Sequence, residues 1–227
     1  MTRSVFLLAV MLGSIGMANA AEVGWIDLFD GKTLDGWIQR GGKANYQVEA
    51  GMIVGSTVPN TQNSFLCTKK DYADFELELE FQVDPGLNSG IQIRSHAYDK
   101  DTEVEIKGKK KQFPAGRVHG YQVEIDPSPR AFTGGIYDEG RRGWLNDLKD
   151  NEPARKAFEP GKWNKFRIVA QGDSFKTWLN GVPAADLKDS MTRSGFIALQ
   201  VHTVGNRTEP LHVRWRNIRL KELRKND

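Results

Sequence analysis

Apolar and polar residues alternate along much of the chain. Phe75, Leu77, Leu79, Phe81 and Val83 are apolar, with Glu76, Glu78, Glu80 and Gln82 between them. Period two over this stretch predicts a strand with one face buried. Shorter runs of the same kind stand at 91–94, 121–126, 166–169, 175–179, 196–202 and 213–220. Turn sequences separate them: Asp84-Pro85-Gly86, Asn88-Ser89-Gly90, Asp126-Pro127-Ser128-Pro129, Gln171-Gly172-Asp173 and Asn180-Gly181. Asn180-Gly181 between Leu179 and Val182 predicts a tight hairpin, because both residues tolerate positive φ. One short helix is expected near 147–157, and no strand–helix–strand alternation is visible. Many short strands at close spacing predict an all-β fold, a sandwich or jelly roll. No shift of composition and no internal repeat divides 21–227, which reads as one domain.

Composition narrows the function. Lys and Arg number 32 and Asp and Glu 29, a net charge of +3. That excess is too small and too scattered for a dedicated nucleic-acid binder. The 23 Gly, 11 Phe, 6 Trp and 5 Tyr suit a turn-rich β protein. The single cysteine, Cys67, excludes an internal disulfide framework and any Cys-rich metal site, and it reads as a core residue. At the N-terminus, Arg3 precedes an apolar run at 5–17, and Ala18-Asn19-Ala20 fits a signal-peptidase site. Residues 1–20 are therefore expected to be a cleaved signal peptide, and the mature chain to be secreted or periplasmic. No later stretch is apolar for long enough to predict a membrane helix. The lysine-rich stretch 99–111, with Lys107, Lys109, Lys110 and Lys111, is expected to be a solvated loop rather than an anionic contact.

Strand parity locates the candidate chemistry, because residues two apart share a face. In three of the runs the apolar set is opposed by polar residues: Gln92 and Arg94, then Gln122, Glu124 and Asp126, then Gln200 and His202. In one sheet these seven would line a common surface. Gln, Glu, Arg and His there suggest a ligand site rather than the Lys, Thr and Ser of an ordinary solvated strand. Glu124 and Asp126 would lie about 7 Å apart at Cα. A retaining glycosidase needs two carboxyl groups about 5–5.5 Å apart. In the laminarinase-like pattern the second Glu falls three residues after the Asp, and here that position is Pro129. Ordinary retaining hydrolysis is thus disfavoured.

Other motifs add little. His96, His119, His202 and His212 form no metal-binding pair at helical spacing, and only His202 lies on the polar face. No nucleophile elbow, dinucleotide fingerprint or P-loop is present. In the glycine-rich segment 133–145, Tyr137 and Trp144 could stack on a sugar ring, and Arg141 and Arg142 could hold an oxyanion. Trp144 anchoring that loop to the core is an equal alternative. Trp25 and Trp37 read as packing residues at the edge of the domain.

An ordered set of segments resembles the 3-keto-disaccharide hydrolase family. The opening Leu28-Phe29-Asp30-Gly31-Lys32-Thr33-Leu34-Asp35-Gly36-Trp37 comes first. Asn88-Ser89-Gly90-Ile91 with Arg94 and Gly120-Tyr121-Gln122-Val123-Glu124-Ile125-Asp126 follow. Thr133-Gly134-Gly135-Ile136-Tyr137, Trp163-Asn164, Leu179-Asn180-Gly181, Gly195-Phe196-Ile197-Ala198-Leu199-Gln200 and Arg216-Asn217-Ile218 complete the order. The likeness spans about 25–222. It implies a concanavalin-like jelly roll of two curved antiparallel sheets. It also implies an exported bacterial enzyme that cleaves 3-keto-glycosides, with a partner sugar 3-dehydrogenase making the ketone.

That chemistry suits the residues. A ketone at C3 acidifies the C2 proton; a base removes it, the C1 group departs, and water adds back. The route needs one base and one enolate stabiliser, not two close carboxylates. Glu124 or His202 is the expected base and Arg94 the expected stabiliser. If Arg94 pairs with Glu124, His202 remains as base. Gln92, Gln122, Asp126, Tyr137, Arg141, Arg142, Trp144 and Gln200 are the expected substrate contacts. No cofactor is required, although a divalent metal ion held by Glu124 and Asp126 would polarise the ketone equally well. The competing reading is a non-catalytic carbohydrate-binding module of the same fold. The ionisable set Glu124, Arg94 and His202 favours the enzyme.

Overall fold

The structure is a computed structural model that describes residues 24–223. The signal-peptide segment 1–20 lies outside the described residues. Two antiparallel sheets face each other across one apolar core. The eight-stranded sheet holds β1 (Trp25–Asp27), β3 (Asn45–Glu49), β4 (Met52–Ser56), β6 (Phe75–Val83), β13 (Asn164–Gln171), β14 (Ser174–Leu179), β15 (Val182–Lys188) and β17 (His212–Glu222). Its order is β15-β14-β13-β6-β17-β4-β3, with β1 also paired to β17. The seven-stranded sheet holds β2 (Trp37–Gly41), β5 (Ser64–Thr68), β7 (Ser89–Ala97), β10 (Val118–Ile125), β11 (Ile136–Glu139), β12 (Gly143–Asn146) and β16 (Phe196–Val201). Its order is β12-β11-β10-β7-β16-β5-β2. This is the jelly-roll sandwich that the alternation implies.

Periodicity sets each strand's faces. Phe75, Leu77, Leu79, Phe81 and Val83 of β6 are all buried in the core. Tyr121, Val123 and Ile125 of β10 and Ile91 and Ile93 of β7 meet them from the other sheet. Burying one such Phe or Leu contributes about 1.5–3 kcal/mol. On the outer face of β6, Glu76 pairs with Arg167, Glu78 with Lys165 and Arg219, and Glu80 with Arg216. A one-residue slip would drive those carboxylates into the core, so the pattern fixes the register of β6. Asn180 and Gly181 have φ of 50° and 83° and join β14 to β15 as the hairpin signal predicts. Among the described residues the one helix, α1 (Glu152–Arg155), falls inside the expected 147–157 and is capped by the Asn151 side chain.

One local expectation is corrected. The lysine-rich stretch forms a two-stranded hairpin, β8 (Thr102–Ile106) and β9 (Lys109–Phe113), rather than a loop. Its charges mask two buried apolar residues, Ile106 and Phe113, that pin it down. Cys67 is a fully buried core-type residue whose thiol is pushed up to about 12 by burial. Trp37 is buried and donates its indole N–H to the Leu28 carbonyl at 2.9 Å. Among the described residues no helix is long and apolar enough to cross a membrane.

Candidate active site

The seven-stranded sheet turns a second face away from the core, and its central strands carry polar side chains there. Gln122 and Glu124 project from β10 while Tyr121, Val123 and Ile125 point inward, as parity predicts. Glu124 lies level with Gly90 of β7, and Gln200 of β16 lies level with Gly90 on the other side. A cavity of about 600 Å³ opens over this face. Glu124, Gln122 and Asn88 border it from below, Tyr137, Trp144 and Arg130 from one side, and Asn63 and His202 from the other strand ends.

Glu124 is 5% exposed, and both its oxygens are engaged. Asn88 Nδ2 donates to Oε1 at 2.6 Å, and Gln122 Nε2 donates to Oε2 at 2.7 Å. Gln92 Nε2 in turn donates to Gln122 Oε1 at 2.6 Å, and the Ser95 hydroxyl donates to Gln92 Oε1 at 2.7 Å. Every bond in this chain runs in one direction, toward the carboxyl. Burial pushes the Glu124 carboxyl above the usual carboxylate range; the two amides oppose that shift, and nearby Asp126 adds to it.

The Asn88-Ser89-Gly90 sequence now has a physical meaning. Asn88 supplies one donor, and the Ser89 hydroxyl ties to the Gln200 carbonyl at 2.7 Å. A Cβ at Gly90 would lie 2.6 Å from Gln122 Cγ and Cδ. Only glycine lets the Gln122 side chain lie flat across β7 and reach Glu124.

His202 is half-buried at the end of β16. Its Nδ1 lies 2.8 Å from the Thr203 carbonyl oxygen. A carbonyl only accepts, so Nδ1 carries a proton, and in the neutral ring the lone pair is on Nε2. Asn63 Oδ1 accepts from the Thr203 N–H at 2.9 Å, steadying the same turn. Tyr137 and Trp144 meet edge to face at 5.3 Å between centroids and form an aromatic wall. The Arg130 guanidinium carbon lies 5.9 Å from the Trp144 ring and its Nε donates to Asp126 at 3.1 Å.

The predicted residues separate into two groups. Glu124, Gln122, His202, Tyr137 and Trp144 meet in the cavity. Gln92 stands one step behind, reaching Glu124 only through Gln122. Gln200 is fully buried on the same face, with neither amide atom hydrogen-bonded. Asp126 is turned to Arg130 and the Ser128 N–H and does not border the cavity.

Arg94 is a correction. It has no exposed surface and a φ of 44°. Gln92 and Ser95 pair with Ala198 and Phe196 of β16, so three steps on β7 match two on β16. Arg94 sits at the extra residue of that bulge, which reverses strand parity. Its guanidinium therefore leaves the polar face and bonds the Ala73 carbonyl at 2.6 Å, the Gly172 carbonyl at 2.7 Å and Asp74 at 2.8 Å. It cannot meet an enolate over Glu124.

Arg141 and Arg142 are a second correction. Arg141 bonds Asp138 and Thr192, and Arg142 bonds Asp138 and Asp189. Burial opposes ionisation of Asp189, but Arg142 and the Tyr121 hydroxyl overcome it and hold that carboxyl at about 2. These two cations are committed to the fold, not to an oxyanion.

Three cavity residues were not singled out in the sequence: Asn63, Arg130 and Glu139. Each lies in or beside a turn, where period two gives no guidance; only Glu139, two residues after Tyr137, carries a parity signal. Burial pushes the Glu139 carboxyl up, and Arg117 partly opposes that.

The residues present do not fit the divalent ion considered for Glu124 and Asp126. Glu124 already accepts from two amides and Asp126 from Arg130 and Ser128. Among the described residues no three His, Cys, Asp or Glu side chains come together as a metal site.

The chain is similar to several known proteins. The chain is 30% identical over 159 residues to a 3-keto-disaccharide hydrolase of Bacteroides thetaiotaomicron, covering 64% of this chain and 52% of that protein. It thus spans about half the length of this curated relative. In fold it is similar to the carbohydrate-binding module CBM66 of Bacillus subtilis, with a TM-score of 0.55, 17% identity and coverage of 82% of this chain and 95% of that one. A protein of unknown function with a galectin-like fold, also from Bacillus subtilis, gives a TM-score of 0.55 at 11% identity, covering 83% and 90%. Both structural likenesses concern the fold alone. The sequence matches the 3-keto-alpha-glucoside-1,2-lyase-like domain over residues 24–221, and the chain belongs to that family of carbohydrate-active proteins.

Proposed function

We propose that the protein cleaves 3-keto-glycosides by C2 proton abstraction, elimination of the C1 group and rehydration. The observation that carries this reading is one cavity holding two complementary groups. His202 offers a ring nitrogen with a free lone pair, and Glu124 offers a buried carboxyl that burial keeps protonated to higher pH.

His202 Nε2 takes the C2 proton. The C2–H electrons form a C2–C3 double bond, and the C3 oxygen becomes an enolate. Arg130 is the cation at the cavity wall and takes the stabilising role expected of Arg94. The enolate then returns its electrons, the C1–C2 double bond forms, and the C1–O bond breaks. Glu124 gives its proton to the departing oxygen. Water adds at C1 and C2 regains a proton, so the net change is hydrolysis. Tyr137 and Trp144 stack on the ring, and the Gln122 and Asn88 amides fix the acid. A positioned acid or base contributes about 10²–10⁴-fold. On this reading a sugar 3-dehydrogenase supplies the ketone, and the signal peptide expected at 1–20 places the reaction outside the cytoplasm.

The test is a chromogenic 3-keto-glucoside beside its non-oxidised parent. Aglycone release is expected from the keto compound alone. His202→Ala and Glu124→Gln should each lower kcat by about 10²-fold or more. Full activity in both variants overturns the assignments. Binding of either sugar without release would leave a carbohydrate-binding module of the same fold. A deuterium label at C2 should wash out into solvent, whereas direct displacement at C1 would retain it.

A further inference from the structure

The cavity over Glu124 does not end at His202. Asn63 and Glu139 also border a second cavity of about 220 Å³, lined further by Phe65, Gln62 and Arg117. Gly41, Gln62 and Arg117 then border a third, of about 480 Å³, with Lys43 and Asn60 on its walls. Shared walls make the three one groove. Its axis follows the sheet: Glu124, Gly90, Gln200 and Phe65 stand level on four neighbouring strands. Three strand spacings put Phe65 roughly 14 Å from Glu124 along the sheet, too far for one sugar ring to bridge.

The far end differs in chemistry from the near end. The third cavity has no carboxylate and no aromatic ring on its walls, but it has Lys43 and Arg117. Arg40 of β2, next to Gly41 in the chain and level with Phe65, does not line this cavity; its guanidinium lies 6.0 Å from the Phe196 ring. Arg40 Nε is buried with no hydrogen-bond partner. Among the described residues, Lys43 and Arg117 make no side-chain hydrogen bond or ion pair, although Arg117 is near enough to Glu139 to favour that carboxylate; Arg94, Arg130, Arg141, Arg142, Arg167 and Arg216 all meet carboxylates directly. Cations with free donors around a polar hollow recognise anions, and guanidinium groups match planar carboxylates and sulfates in particular.

We propose that this end of the groove is a subsite for an anionic group, a carboxylate or a sulfate ester, on the leaving-group side of the substrate. The inference rests on the cleavage reading for the direction in which the sugar lies. The preferred substrate is then a 3-keto-glycoside whose aglycone is an acidic sugar, one that reaches past Asn63 and Glu139 to Arg117 and Lys43.

Three 3-keto-disaccharides test this, identical except for a neutral, a uronate or a sulfated leaving sugar. At low salt, kcat/KM for at least one acidic substrate should exceed the neutral one by about tenfold or more, the scale of one charge-assisted hydrogen bond. That ratio should fall toward one in Arg117→Ala and Lys43→Ala, and also at high salt. The arm that shows the ratio identifies the anion. Equal rates for all three, or a preference that survives the double variant, overturn the proposal. If no keto substrate is cleaved, the cleavage reading fails by itself. Calorimetric titration with the unoxidised uronate and sulfate disaccharides then decides: tighter binding than the neutral sugar, lost in the double variant, supports the subsite, and equal binding overturns it.

Discussion

His119 shows how far a single side chain can depart from its ordinary chemistry. It is 3% exposed, and neither ring nitrogen has a hydrogen-bond partner. The rings of Phe113, Tyr98 and His96 surround it at 4.4, 4.8 and 6.2 Å between centroids. Burial first, then Arg141, His96 and Arg117, lowers its pKa from 6.5 to about 4. A folded-state pKa below the unfolded one gives stability that is complete above about pH 6.5 and lost as pH falls toward 4. His119→Phe suits the aromatic cage and removes two orphaned buried nitrogens, each costing about 1–3 kcal/mol. Thermal denaturation should show this variant to be more stable and less sensitive to acid across that window. Parallel acid losses in both proteins would place the sensitivity elsewhere.

Among the elements of the two sheets, β7 departs from its reading, and it does so for a local reason. Its first half obeys period two, which is why Gln92 was legible in the sequence. The bulge at Arg94 then inserts one residue and sends the guanidinium away from the polar face. A signal for it exists on the neighbouring strands. A Cβ at Gly120 would lie 2.2 Å from Ser95 Oγ, and one at Gly195 would lie 2.5 Å from the Ser95 carbonyl. Glycines on β10 and just before β16 therefore mark where β7 swells, but they declare it only once the strand order is known. Arg94→Met should act on the fold: breaking a buried pair costs about 3–5 kcal/mol. A urea titration should show that loss, while kcat per folded molecule stays within a few-fold of wild type. A rate loss of 10²-fold at full stability would return Arg94 to catalysis.

For the molecule as a whole, alternation made the two sheets, the buried faces and half of the cavity readable. Glu124, Gln122 and His202 could be placed because each strand's other face had to go into the core. Arg130, Asn63 and the groove beyond them could not, because turns have no period and adjacency across strands is a tertiary fact. The two outer faces also divide the work. The eight-stranded sheet spends its charges on ladders such as Glu78 with Lys165 and Arg219, whereas the seven-stranded sheet keeps amides and a carboxyl over the cavity. The hydrogen bonds from Ser95 through Gln92 and Gln122 to Glu124 all run one way, so a change at the carboxyl polarises the whole line. The site thus contains its own indicator. The side-chain amide resonances of Gln122 and of fully buried Gln92 should move together as Glu124 loses its proton, and stay still in Glu124→Gln. A flat Gln92 signal beside a moving Gln122 would show the line to be broken. With it intact, the ionisation of the acid can be watched from a residue that no substrate touches.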